Sequence, residues 1–202
     1  MLGINAGMPG ACAGQNKYPE IEYRSLYSLV DAITSGSWTA QKAEGDPSLK
    51  ANLSRLRTAD LSKVSYLGLE YGTNDFNYSR PLGTNRDATC ETFKGALNYS
   101  LKKLAVAFPR LRLFLITPAW RLNFEELDSD THPNEIGLFL KEYVDGMLEI
   151  AALHHIPCLG MWRTLGLNID NYKTFTFDGT HPNTDGARRR GEVIASFIRA
   201  AF

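Results

Sequence analysis

The sequence predicts an α/β fold, a parallel sheet covered by helices on both faces. Two patterns predict it: short apolar runs of strand length, and longer segments between them with apolar residues at helical spacing. The runs 64–70 (VSYLGLE), 111–117 (LRLFLIT) and 156–162 (IPCLGMW) read as buried strands, each ending where a ligand-facing loop would begin. Residues 1–5 make a fourth, shorter candidate. Leu49, Leu53 and Leu56 fall on one helical face, as do Phe93, Leu97, Leu101, Leu104 and Phe108. A third helix is expected from Ile136 to Ile150, after the Pro133-Asn134 turn, and a fourth closes the chain through Val193, Ile194, Phe197, Ile198 and Ala201. The polar stretches 35–48 and 83–87 read as surface loops.

At 202 residues the chain suits one domain with a full core, residues 1–202. Lys plus Arg equals Asp plus Glu at 22 each, so no global field favours nucleic acid or an anionic membrane as partner. A neutral small molecule is the expected substrate. Cys12, Cys90 and Cys158 form no Cys-x-x-Cys pair and read as buried free thiols. No apolar run approaches the roughly 20 residues that cross a bilayer, and no signal-peptide pattern opens the sequence. A chain without membrane insertion is therefore expected, with its compartment left open.

Three short patterns carry chemistry. In Asp178-Gly179-Thr180-His181-Pro182-Asn183, just before the last helix, the carboxylate can turn back onto one imidazole nitrogen and leave the other as a general base. The bland reading makes Asp178 a turn cap and His181 a loop residue. In Tyr71-Gly72-Thr73-Asn74-Asp75, Asn74 follows a strand, where parallel sheets bind ligands, and its amide can donate to a developing oxyanion. In Asn5-Ala6-Gly7-Met8-Pro9-Gly10-Ala11, glycines let a backbone amide approach a substrate oxygen. Each of the last two is also a plain turn sequence.

In this order the three resemble blocks of the SGNH (GDSL-like) hydrolase family, over nearly the whole chain. The resemblance implies a three-layer α/β/α, flavodoxin-like parallel sheet of about four to five strands. It implies ester hydrolysis through a serine acyl-enzyme, with His181 as base, Asp178 as its orienting acid, and Gly10 and Asn74 in the oxyanion hole. No cofactor and no metal are needed. A small ester or an acetylated carbohydrate is the implied substrate, since some family members remove acetyl groups from sugars. The family's Gly-Asp-Ser block, which brings the first strand and the nucleophile, does not occur in this sequence. The nucleophile is therefore unknown: Ser25, Ser28, Ser35 and Ser37 have no activating surroundings, and Gly45-Asp46-Pro47 has proline where the serine belongs. Three explanations stand: an N-terminally truncated domain, a strand contributed by another chain of a larger assembly, or a non-catalytic binding or structural module.

Trp120-Arg121 and Trp162-Arg163 end two expected strands, so Trp120 and Trp162 are candidate aromatics of a substrate rim, although packing under a loop is the commoner use. His154-His155 lacks the spacing of a helical metal pair. Arg188-Arg189-Arg190 reads as a solvated helix face.

Overall fold

The computed structural model describes residues 3–15, 18–123 and 125–202. Its sheet has three parallel strands in the order β1 (Tyr66–Glu70), β2 (Arg112–Ile116) and β3 (Cys158–Leu159). The α/β class and the three central strands match the sequence expectation, while the strand number is smaller. Of the fourth candidate strand, Met1 and Leu2 lie outside the described residues, and Gly3 to Asn5 are without strand structure. The third run is shortened because Gly160 caps α6 (Met161–Thr164), whose first turn takes over the chain after Leu159.

Side chains alternate across β1 and β2, and each face is covered. Leu69, Leu113 and Leu115 pack with α1 (Leu26–Ser35), α4 (Phe93–Ala107) and α5 (Leu140–Leu153), burying Leu26, Phe93, Leu97, Leu140 and Met147. On the other face Phe114, Ile116 and Leu159 meet Val193, Ile194, Phe197 and Ile198 of α7 (Thr184–Ala201). Burying a large apolar side chain contributes roughly 1.5–3 kcal/mol, so the first layer, with more fully buried side chains, carries more of the stability. A third cluster joins Leu49 and Leu53 of α2 (Pro47–Thr58) to Met8, Ala11 and Leu29.

Local chemistry explains the boundaries. Asp46 caps α2 by accepting from the amides of Ser48 (2.7 Å) and Leu49 (3.3 Å), with Pro47 in the first turn, which gives Gly45-Asp46-Pro47 a structural use. Helix α5 begins at Leu140 instead of Ile136, because the Asn134 side chain accepts from the amides of Ile136 and Leu138 and holds that stretch as a turn. Two further expectations change. Only Cys12 of the three thiols is buried. The Arg188-Arg189-Arg190 run is not simply solvated: Arg190 pairs with Glu70 at the end of β1, and Arg189 lies over the Phe175 ring.

The register leaves one edge of the sheet open. The Arg112 amide donates to the Ser65 carbonyl, so in a parallel ladder the main-chain groups of Tyr66, Gly68 and Glu70 point away from β2. Among the described residues no strand pairs with them. Nor, among those residues, is any helix long and apolar enough to cross a membrane.

Candidate active site

After β1 the chain turns through Gly72 into the short helix α3 (Thr73–Asn77). Two adjacent side chains at its start hold the N-terminal glycine segment. Asn74 Nδ2 donates to the Ala11 carbonyl at 2.9 Å. Asp75, wholly buried, accepts from the Ala13 amide on both oxygens (3.0 and 2.9 Å), from Gly14 (3.3 Å) and from Gly72 (3.2 Å). Burial pushes the Asp75 carboxyl up to about 6, against the opposing pull of those amides. The segment so held begins with Gly10 at φ 74°, a left-handed conformation that side chains disfavour. The Gly10 amide donates to no group among the described residues. A carboxamide carries two N–H donors, so Asn74 keeps a second beyond the one given to Ala11.

The Asp178–His181 turn closes as the spacing predicts. Asp178 Oδ2 lies 2.7 Å from His181 Nδ1, and Oδ1 accepts from the amides of His181 (2.7 Å) and Thr180 (2.9 Å). Desolvation works against the Asp178 charge, but the His181 amide and ring and the Thr180 amide hold the carboxyl down to about 2. The carboxylate thus stays ionised and fixes the ring with Nε2 available as a base. Gly179 has φ 79°, and a Cβ there would stand 2.5 Å from Leu122 Cδ1, so the turn needs glycine for conformation and for space. Both side chains face water: His181 is 75% and Asp178 53% exposed.

Arg121, 6% exposed, links the two halves. Its Nε donates to the Leu122 carbonyl at 2.6 Å. With the Asn77 amide turned so that its oxygen faces the guanidinium, that oxygen accepts from both terminal nitrogens at 2.7 and 2.5 Å. Leu122 in turn donates its amide to the Gly179 carbonyl at 3.0 Å and packs on Gly179. Helix α3, which carries the Asn74–Asp75 clamp, is thereby strapped to the Asp178–His181 turn. Burial pushes the Arg121 guanidinium down to about 10, opposed by the charges of Asp178 and Tyr78. Replacing Arg121 with methionine is expected to cost about 1–3 kcal/mol through the acceptors left unpaired. It should also broaden or abolish the downfield Nδ1–H proton signal of His181; a sharp, unshifted signal in the folded variant would show that the strap does not hold the pair.

Trp120 is 2% exposed, with its indole N–H on Asp128 at 2.8 Å and its ring against Tyr172. It lies in the interior, where an indole with a satisfied N–H adds packing area, and presents no face to a rim. Trp162 is half-buried, with its N–H 3.3 Å from Asp130 and Lys141 over its ring. The four early serines have structural surroundings: Ser25 caps α1, Ser28 lies within reach of Gln41 Nε2 (3.2 Å), Ser35 donates to the Asp31 carbonyl, and Ser37 lies beside Thr39. Among the described residues no three His, Cys, Asp or Glu side chains gather as a metal ion would require. Sequence reading passed over Asp75 as part of the site, and it placed Arg121 only on the rim beside Trp120, not in the strap between the two halves. For Asp75 the signal was an acid directly after Asn74 in a strand-ending turn.

Comparison with solved structures decides the fold. A protein from Lactobacillus plantarum matches at a TM-score of 0.68 and 19% identity, over 96% of this chain and 78% of its own. A possible lipase from Chitinophaga pinensis matches at 0.58 and 20%, over 76% and 78%. A candidate GDSL-like lipase from Bacteroides ovatus matches at 0.54 and 17%, over 95% and 68%. The chain shares the fold of these structures, one of which is described as a GDSL-like lipase. No family model matches the sequence, and no curated protein is significantly similar to it.

Proposed function

We propose that this chain works in ester hydrolysis of the SGNH type, through a serine acyl-enzyme. His181 takes the serine proton and returns it to the leaving alcohol, Asp178 orients the ring, and the Gly10 and Asn74 amides receive the oxyanion. The observation that carries this reading is the Asp178–His181 contact at 2.7 Å, strapped by Leu122 and Arg121 to the helix that carries Asn74. The half-buried Trp162 favours an acyl group on a sugar. The reading takes its nucleophile from a Gly-Asp-Ser segment that adds as a strand along the open edge of β1, where Tyr66, Gly68 and Glu70 offer main-chain groups that pair with no strand among the described residues.

The test compares the 202-residue chain with the same chain carrying an apolar strand that ends in Gly-Asp-Ser ahead of Met1. Labelling by a fluorophosphonate and turnover of p-nitrophenyl acetate and acetylated xylo-oligosaccharides are measured on both. The expected result is labelling of the added serine and ester turnover, both lost with His181→Ala. Labelling of a serine within residues 1–202 would overturn the proposed source of the nucleophile. A folded, strand-paired extension that neither labels nor turns over would overturn the enzyme reading. It would favour the second one, a non-catalytic carbohydrate-binding module, for which the structural surroundings of the early serines speak.

A further inference from the structure

A second candidate site lies on α2, apart from the Asp178–His181 pair. Trp38 from the loop after α1, Lys42 from the short 3-10 helix Ala40–Ala43, and Lys50, Leu53, Ser54 and Arg57 from α2 line an open depression of about 190 Å³. The four α2 residues follow the spacing i, i+3, i+4, i+7, so they form one helical face. Leu53 and Trp38 belong to the cluster that includes Met8, Leu29 and Leu49, which gives the depression a packed apolar floor. Gln41 and one acid, Glu44, complete the lining; Glu44 is buried and committed, 3.0 Å from Arg24 Nη2 and 2.9 Å from the Asp46 amide.

Lys42, Lys50 and Arg57 therefore have no carboxylate partner among the described residues, in a chain whose net charge is zero. Cations gathered on one concave surface repel one another and concentrate an anionic ligand there. The size selects the ligand further. Pockets for drug-sized molecules span roughly 300–1,000 Å³, so this one suits a single ring. An indole accepts the C–H face of a sugar, a guanidinium grips a carboxylate in two-point fashion, and a hydroxyl such as that of Ser54 can bond a ring hydroxyl.

We propose that the depression formed by Trp38, Lys42, Lys50, Ser54 and Arg57 binds one carboxylate-bearing sugar ring of an acidic saccharide. The site is independent of whether the Asp178–His181 pair is catalytic. The test titrates the full chain with tri-galacturonate, with neutral xylotriose and with inorganic phosphate, following tryptophan fluorescence and backbone amide shifts. Saturable binding of tri-galacturonate alone is expected, with shifts centred on residues 38–57. Affinity should fall about tenfold or more in the Lys50→Ala/Arg57→Ala double variant, because charge-assisted bonds are the strong ones. Alanine favours the helix, so this variant keeps the fold. No binding, equal binding of xylotriose, the same shifts from phosphate alone, or undiminished affinity in the double variant would each overturn the proposal. Tri-galacturonate binding is expected to be unchanged in His181→Ala, which separates failure here from failure of the hydrolase reading.

Discussion

Replacing Asp75 with asparagine is expected to cost the fold about 2–4 kcal/mol and to release the amides of Ala13 and Gly14 to solvent exchange. The carboxylate accepts from backbone amides of the glycine segment and of Gly72. Asparagine keeps one acceptor oxygen and turns an N–H₂ group toward donors it cannot bond, in a position with no access to water. The effect depends on pH in a stated direction. The folded chain binds the Asp75 proton at about 6, the unfolded chain near the ordinary ~3.9, so this group's contribution is full below pH 4 and is lost as pH rises through 6. The neighbours facing it, the Cys12 thiol and the Tyr71 and Tyr143 phenols, are pushed up and stay neutral throughout that window. The gap between wild type and Asp75→Asn should therefore be about 1 kcal/mol wider at pH 5 than at pH 7. Urea denaturation at both values and amide exchange at Ala13 and Gly14 measure it. A gap that narrows at pH 5, or amides that stay protected in the variant, would sink the argument.

Asp75 also marks where sequence reading stops. The two longer strands were legible because their centres are short, mainly apolar runs of strand length, Tyr66 to Leu69 and Leu113 to Ile116. The ends were less legible. Ile136 keeps the helical spacing of α5, yet the Asn134 side chain bonds the following amides and delays the helix. The Asp178–His181 contact could be read because it is local: three residues and a left-handed glycine settle it. Arg121 could not, because its partners Asn77 and Leu122 lie on different segments that only the tertiary fold brings together. Trp120 was open to both readings, since an indole at a strand end serves a rim or a core equally well. Only the Asp128 partner and the surrounding burial decide for the core.

The second large effect is expected at Asp178. In the Gly-Asp-Ser-extended chain, Asp178→Asn should lower kcat by on the order of 10³–10⁴-fold with KM little changed. An asparagine can present its N–H₂ to His181 Nδ1, which favours the tautomer with the proton on Nε2. The ring then has no lone pair to take the serine proton, although its position is kept. Asp178→Glu keeps the charge but cannot hold the Thr180 and His181 amides in the same turn, so an intermediate loss is expected. The unextended chain allows a measurement free of turnover. Nitrogen NMR of His181 should show Nδ1 protonated and Nε2 unprotonated at neutral pH in the wild type, and the reverse in Asp178→Asn. If the tautomer is the same in both, Asp178 anchors the turn without orienting the base, and any loss of activity would have to come from disorder of residues 178–181.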